Sequence, residues 1–401
     1  MPIERWDVDR MLNPNKASTV GLEWTTEQTP RPQENSMLKQ SPSLVMLRRS
    51  FLVSSAGTLA GLFLPNICPT IATPHRNNSL PENPIDEIYL QKGLNALARA
   101  HQMSSMAGHL GASLVAGYFI GKQRSRLDPV VCQGIEGDMK RVMDGESVFG
   151  KKMSPKAPLV DSQLFESFPQ QQADPNLIDL IAERLAGNIQ QPRQSGHNVI
   201  FASLALRGLK AAPQLATPKL VDGIVRLIGM FDNQSPGSGY YGKAKGRIHG
   251  NKIVLPDDDA TPTYDDVTGM ANTVLDEVIG LETNINRVGY GGMVHIINHC
   301  AAIADLQELG YEDLVATAVR SHHRHLQLWR NLPNVAQEQG PIKVSQYAPH
   351  TAEYWQAENI PYDRALLTHR VKTMYGFDEL AAAVDADEKE KTAYQKLRYM
   401  M

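Results

Sequence analysis

From Asp86 to Met106 apolar residues recur at the spacing of one helix face, Ile88, Leu90, Leu94, Leu97 and Ala98, with Pro84 and Asp86 marking the start. Comparable patterns predict helices over 107–121, 129–144, 174–188, 197–211, 217–231, 266–282, 292–309, 311–331, 361–375 and 377–399. Period-two alternation is scarce. One hairpin candidate is Arg247 to Val254, where Gly250-Asn251 would form a two-residue turn. An all-α fold carrying one small β-hairpin follows.

Three of the predicted helices begin alike. Gly108-His109, Gly196-His197 and Gly292-Met293-Val294-His295 each open a stretch rich in Ala, Ser and Gly, whose small side chains let helices approach closely. The second and third stretches continue through a short turn into amphipathic helices ending at Phe231 and Trp329. Hairpins of a small-residue inner helix and an amphipathic outer one resemble those of α/α toroids, the barrels of polysaccharide lyases, some glycosidases and terpene cyclases. The likeness is one of architecture alone, without a catalytic motif.

Upstream, Met46-Leu47-Arg48-Arg49-Ser50-Phe51-Leu52 precedes an apolar or small run from Val53 to Leu64, and then Pro65 and the small-residue stretch Thr70-Ile71-Ala72-Thr73. Basic start, short apolar core and cleavage-like end resemble a twin-arginine signal peptide, which implies export of an already folded, often cofactor-loaded protein to the periplasm. Leu47 stands where such signals usually carry Ser or Thr. The core from Phe51 to Leu64 would span only about two-thirds of a bilayer at ~1.5 Å per residue, so no stable membrane insertion is expected after cleavage. Residues 1–45 are polar, proline-bearing and aperiodic; they read as a disordered leader, or as untranslated sequence ahead of a later start at Met37 or Met46. The division expected is therefore leader 1–45, signal 46–72 and one helical domain 73–401.

Composition narrows the classes. A chain of 401 residues, 42% hydrophobic, can bury a sizeable core, and its net charge of -3 without long like-charge runs gives no footprint for nucleic acid. Of the three cysteines Cys68 lies in the signal, leaving Cys132 and Cys300 as either one disulfide or two buried thiols.

Candidate chemistry centres on histidine. His295 and His299, four apart, share a helix face and are the candidate ligands of a divalent metal ion, although the glutamate base of a zinc-protease helix is missing between them. If the hairpins close, His109, His197 and His295 meet at one rim; otherwise each caps its own helix. The set His322, His323 and His325 is interleaved with arginines and reads as a solvated face, unless the acidic segment from Asp232 to Asp266 docks there.

Asp232 to Asp266 is long for a connection between helices and reads as a lid, with Tyr240, Tyr241, Arg247 and His249 suited to a sugar ring or an aromatic substrate. The aspartates of that segment would equally stiffen a surface excursion by binding calcium, and Asp265, Asp266 and Asp276 are further oxygen ligands to consider. Gly145-x4-Gly150-Lys151-Lys152 mimics a phosphate loop but lacks the final Ser or Thr. The expectation is an exported helical-barrel lyase or hydrolase acting on a saccharide or other small polar substrate. Catalytic groups would come from His109, His197, Tyr240, Tyr241 and Arg247, with metal at His295 and His299. The alternative is a non-catalytic periplasmic binding or scaffold protein.

Overall fold

In the computed structural model, residues 85–122, 127–146, 161–256, 260–356, 364–384 and 387–401 are described. The expected leader, twin-arginine signal and residue-73 boundary fall outside them, as do Asp257 to Asp259. Helix starts follow the capping chemistry. Asp86 accepts from the Ile88 N–H at 2.9 Å to begin α1 (Glu87–Ala100), and Asp128 accepts from Val130 at 2.8 Å to begin α3 (Pro129–Met143), with Pro129 in the first turn. Between them lies α2 (Gly108–Lys122). The chain continues through α4 (Asp179–Ala186), α5 (Arg193–Ala211) and α6 (Pro218–Gly229) to α7 (Val267–Ile279), whose cap Asp266 accepts from Gly269 at 2.7 Å. Then come α8 (Gly292–Glu308), α9 (Glu312–Arg330), the single turn α10 (Ala336–Gln339), α11 (Arg364–Ala382) and α12 (Asp387–Lys396). The all-α class is what the chain adopts.

The first helix stops at Ala100 rather than reaching Met106, and two further features differ from expectation. The break expected near residue 376 is absent, because α11 runs straight through Gly376, whose missing side chain admits Asn298; a Cβ there would sit 2.8 Å from the Asn298 Oδ1. The hairpin expected within 247–254 is corrected too. Its strands are β1 (Ser238–Tyr240) and β2 (Arg247–His249), and Gly250 to Lys252 form a 3-10 turn rather than a hairpin turn. The partner strand lies upstream because Gly239 bridges to Gly289, leaving no room for a β-carbon between those backbones.

Four helices pack in a cycle: α2 on α5, α5 on α8, α8 on α11 and α11 back on α2. α2 is buried continuously from Gly108 to Tyr118, as a helix enclosed on all sides must be. Amphipathic helices cover this ring. α1 lies on α2 and α6, α3 on α2 and α11, α4 on α5 and α6, and α7 and α9 on α8. Cys132 and Cys300 are both buried and not bonded to each other. Among the described residues no helix is long and apolar enough to cross a membrane.

Candidate metal centre

Each ring helix carries a histidine near its N-terminal end: His109 on α2, His197 on α5, His295 on α8 and His369 on α11. Two of the starts are unusual. Gln194, Ser195 and Gly196 have positive φ of 48°, 65° and 86°, so the right-handed part of α5 begins only at His197. Tyr290, Gly291 and Gly292 repeat the device before α8 with φ of 48°, 75° and 67°. Left-handed residues other than glycine cost about 1–2 kcal/mol each and gather where the surroundings impose them, often at functional sites.

The imposition comes from the segment expected to be a lid. The carbonyls of Ser235 and Pro236 accept the N–H groups of Gln194 and Ser195 at 2.8 and 3.1 Å, and the Ser238 carbonyl accepts that of Tyr290 at 3.0 Å. One stretch of backbone thus braces both turns.

The turns aim the rings. The Nδ1 of His109 faces the Met106 carbonyl at 2.8 Å, that of His295 faces the Gly291 carbonyl at 2.7 Å, and that of His197 bonds the Gln194 carbonyl. A carbonyl only accepts, so Nδ1 holds the proton in each neutral ring and Nε2 presents its lone pair. Those three lone pairs meet: His197 Nε2 stands 2.9 Å from His109 Nε2 and 3.1 Å from His295 Nε2. His369 completes the group, since ring nitrogens of His109, His295 and His369 all lie within 4.8 Å of one another. Burial pushes the His109, His197 and His295 pKa values well below the usual imidazole range, and the nearby Lys372 charge adds to the effect. Neutral rings are therefore the rule here.

His299 does not share a site with His295. Its Nδ1 is 3.2 Å from the Nδ1 of His325, and its Nε2 is buried without a hydrogen-bond partner. His322 and His325, expected on a solvated face, are fully buried. His325 donates through Nε2 to the Tyr290 carbonyl at 2.8 Å, while His322 donates to the Ile296 carbonyl at 3.0 Å and receives the Tyr264 hydroxyl at 2.6 Å. Only His323 of that trio turns outward, its Nε2 nonetheless shielded. The second set thus supports the Tyr290 turn from below.

Other predicted residues lie elsewhere. The Tyr240 hydroxyl donates to Glu338 at 2.9 Å, Tyr241 meets the Tyr290 hydroxyl at 3.3 Å, and Arg247 reaches the Ser238 carbonyl at 3.3 Å, all away from the four rings. Asp266 caps α7, Asp276 pairs with Lys389 at 2.8 Å, and Asp265 is exposed, so these carboxylates form no common site. His369 and Lys372 were missed in the sequence because no Gly-His pair announces α11. No family model matches this chain, and neither a curated protein nor a solved structure shows significant similarity to it.

Proposed function

We propose that the protein binds one transition-metal ion at the head of the four-helix ring, through the Nε2 atoms of His109, His197 and His295 with His369 alongside. The observation that carries this reading is the facing of three lone pairs, each fixed by a backbone carbonyl on the opposite side of its ring. Neutral rings so placed repel one another unless a cation sits between them, and a ligating histidine characteristically donates its other N–H to a carbonyl. Around an ion ~2.0–2.1 Å from each nitrogen, neighbouring donors stand roughly 3.0–3.4 Å apart, close to the spacing here. Imidazole donors suit zinc, copper, nickel, cobalt or iron and disfavour calcium and magnesium.

Such an ion would act as a Lewis acid or lower the pKa of a bound water, chemistry that fits hydrolysis or elimination on a small polar substrate, saccharides included. Export after folding, as Arg48-Arg49 implies, fits a chain that acquires its ion first. The test is elemental analysis of the purified chain, with cobalt(II) absorption as an independent reading of nitrogen ligation. About one ion per chain is expected, lost in His197→Ala and His295→Ala but retained in His323→Ala. Protein that purifies metal-free and takes up neither zinc, cobalt nor copper on titration would overturn the reading.

A further inference from the structure

Where the end of α7, the start of α8 and Trp329 of α9 converge, they frame a cavity of about 270 Å³. That is close to the size at which small-molecule sites begin, roughly 300 Å³. Much of the wall is apolar, with Leu281, Ile285, Met293, Ile342, Tyr399 and Met400 contributing. The wall is also held in place. The Asn286 backbone N–H donates to the Asn334 Oδ1 at 2.9 Å, the Asn286 Nδ2 to the Gly340 carbonyl at 2.9 Å, and the Ile342 N–H to the Thr283 carbonyl at 2.9 Å. Lys396 donates to the Leu281 carbonyl at 2.6 Å, which fixes the adjoining turn Leu397–Tyr399 against the same connection. A cavity with braced walls gives up little ordering free energy when it is filled.

Arg287 is the only cation among the described residues of the lining. Its guanidinium lies over the Trp329 ring, 5.1 Å from the centroid. It forms no hydrogen bond or ion pair with any described residue, and its Nε is shut off from solvent without a partner. Stacking on an aromatic face fixes the plane of a guanidinium and leaves its edge free for a two-pronged acceptor such as a carboxylate. The α8 start adds partial positive charge to the same wall, because its cap Gly291 brings no side chain to it. Of the two carboxylates in the lining, Glu277 pairs with Arg330 and Glu282 is exposed.

We propose that this cavity binds a small organic monocarboxylate with an apolar body, the carboxylate on Arg287 and the body against Ile285, Met293 and Ile342. Glu277 and Glu282 disfavour a second negative charge, which selects a monoanion over phosphate. No histidine of the ring lines the cavity, so the site stands whether or not an ion binds there.

The test titrates the full chain as purified with phenylpropionate, with its uncharged amide and with inorganic phosphate, followed by ligand-observed NMR. The acid should bind saturably with a Kd of about 1 mM or tighter, as its size allows. The amide, which cannot make the charge-assisted bond, should bind about tenfold more weakly or worse, and phosphate should not compete. Arg287→Gln removes the charge, and Ile342→Glu sets a further carboxylate in the wall; each should weaken the acid about tenfold or more. Position 342 is half-buried and hydrogen-bonded through its backbone, so its variant probes the site without cutting into the core. Acid and amide binding alike, phosphate competing as well as the acid, or an affinity unchanged in either variant would each overturn the proposal. So would the absence of saturable acid binding up to about 10 mM.

Discussion

Gln194 sits in the left-handed region with its side chain at the surface, where its amide meets Gln234 at 3.1 Å. Replacing it by glycine removes the β-carbon penalty at little loss of contact. Gln194→Gly should therefore stabilise the chain by up to about 1 kcal/mol in urea unfolding, net of glycine's greater freedom when unfolded. A loss of stability would show that the turn is not held as described. Residues also set how much of the site could be read in advance. His109, His197 and His295 declared themselves through the glycine before each helix, and the structure brings them together. His369 follows Thr368 instead, and nothing local distinguishes it. His322 and His325 read as solvated because Arg320 and Arg324 stand beside them in sequence. Ala318, His322, His325 and Trp329 form one buried stripe at helical spacing, and Arg320 and Arg324 lie off it.

Helices were the most legible elements, because their apolar period and their caps act within a few residues. Pairing was less so: the strand opposite Arg247–His249 depends on Gly239 meeting Gly289, fifty residues away in sequence by the numbering of their contact. Helix contacts separate two kinds of glycine. Gly223 of α6 rests on the backbone of α1, where a β-carbon would lie 2.2 Å from the Ala98 carbonyl oxygen; Gly137 of α3 has nothing within 4 Å. Gly223→Ala should cost about 1–3 kcal/mol through forced separation of the helices. Gly137→Ala should stabilise by about 0.5–1 kcal/mol through helix propensity alone. Denaturant midpoints of the two variants moving in the same direction would contradict the packing described.

The whole molecule keeps its buried histidines neutral. His109, His197, His295 and His299 are pushed well below the usual imidazole range, His322 to about 3 and His325 to about 4, in every case by burial first. Unfolded, these rings bind protons below about 6.5, so stability falls as pH drops through that value, by ~1.4 kcal/mol per pH unit for each ring titrating. Asp305, raised to about 7, acts oppositely between its unfolded value of 3.8 and 7, but it is one group against several. The metal-free chain should thus unfold cooperatively between about pH 6 and about pH 5, followed by circular dichroism. A urea midpoint constant from pH 7.5 to 5 would count against the neutral cluster.

The ring has a further consequence. Its histidines are separated along the chain by 88 residues between His109 and His197 and by 98 between His197 and His295. Such contacts have high contact order and close only when distant parts of the chain have already met. No fragment shorter than the stretch from α2 to α11 contains the four histidines. Occupancy of the four imidazoles therefore reports completed folding, so an ion bound there would distinguish finished molecules from those still in progress.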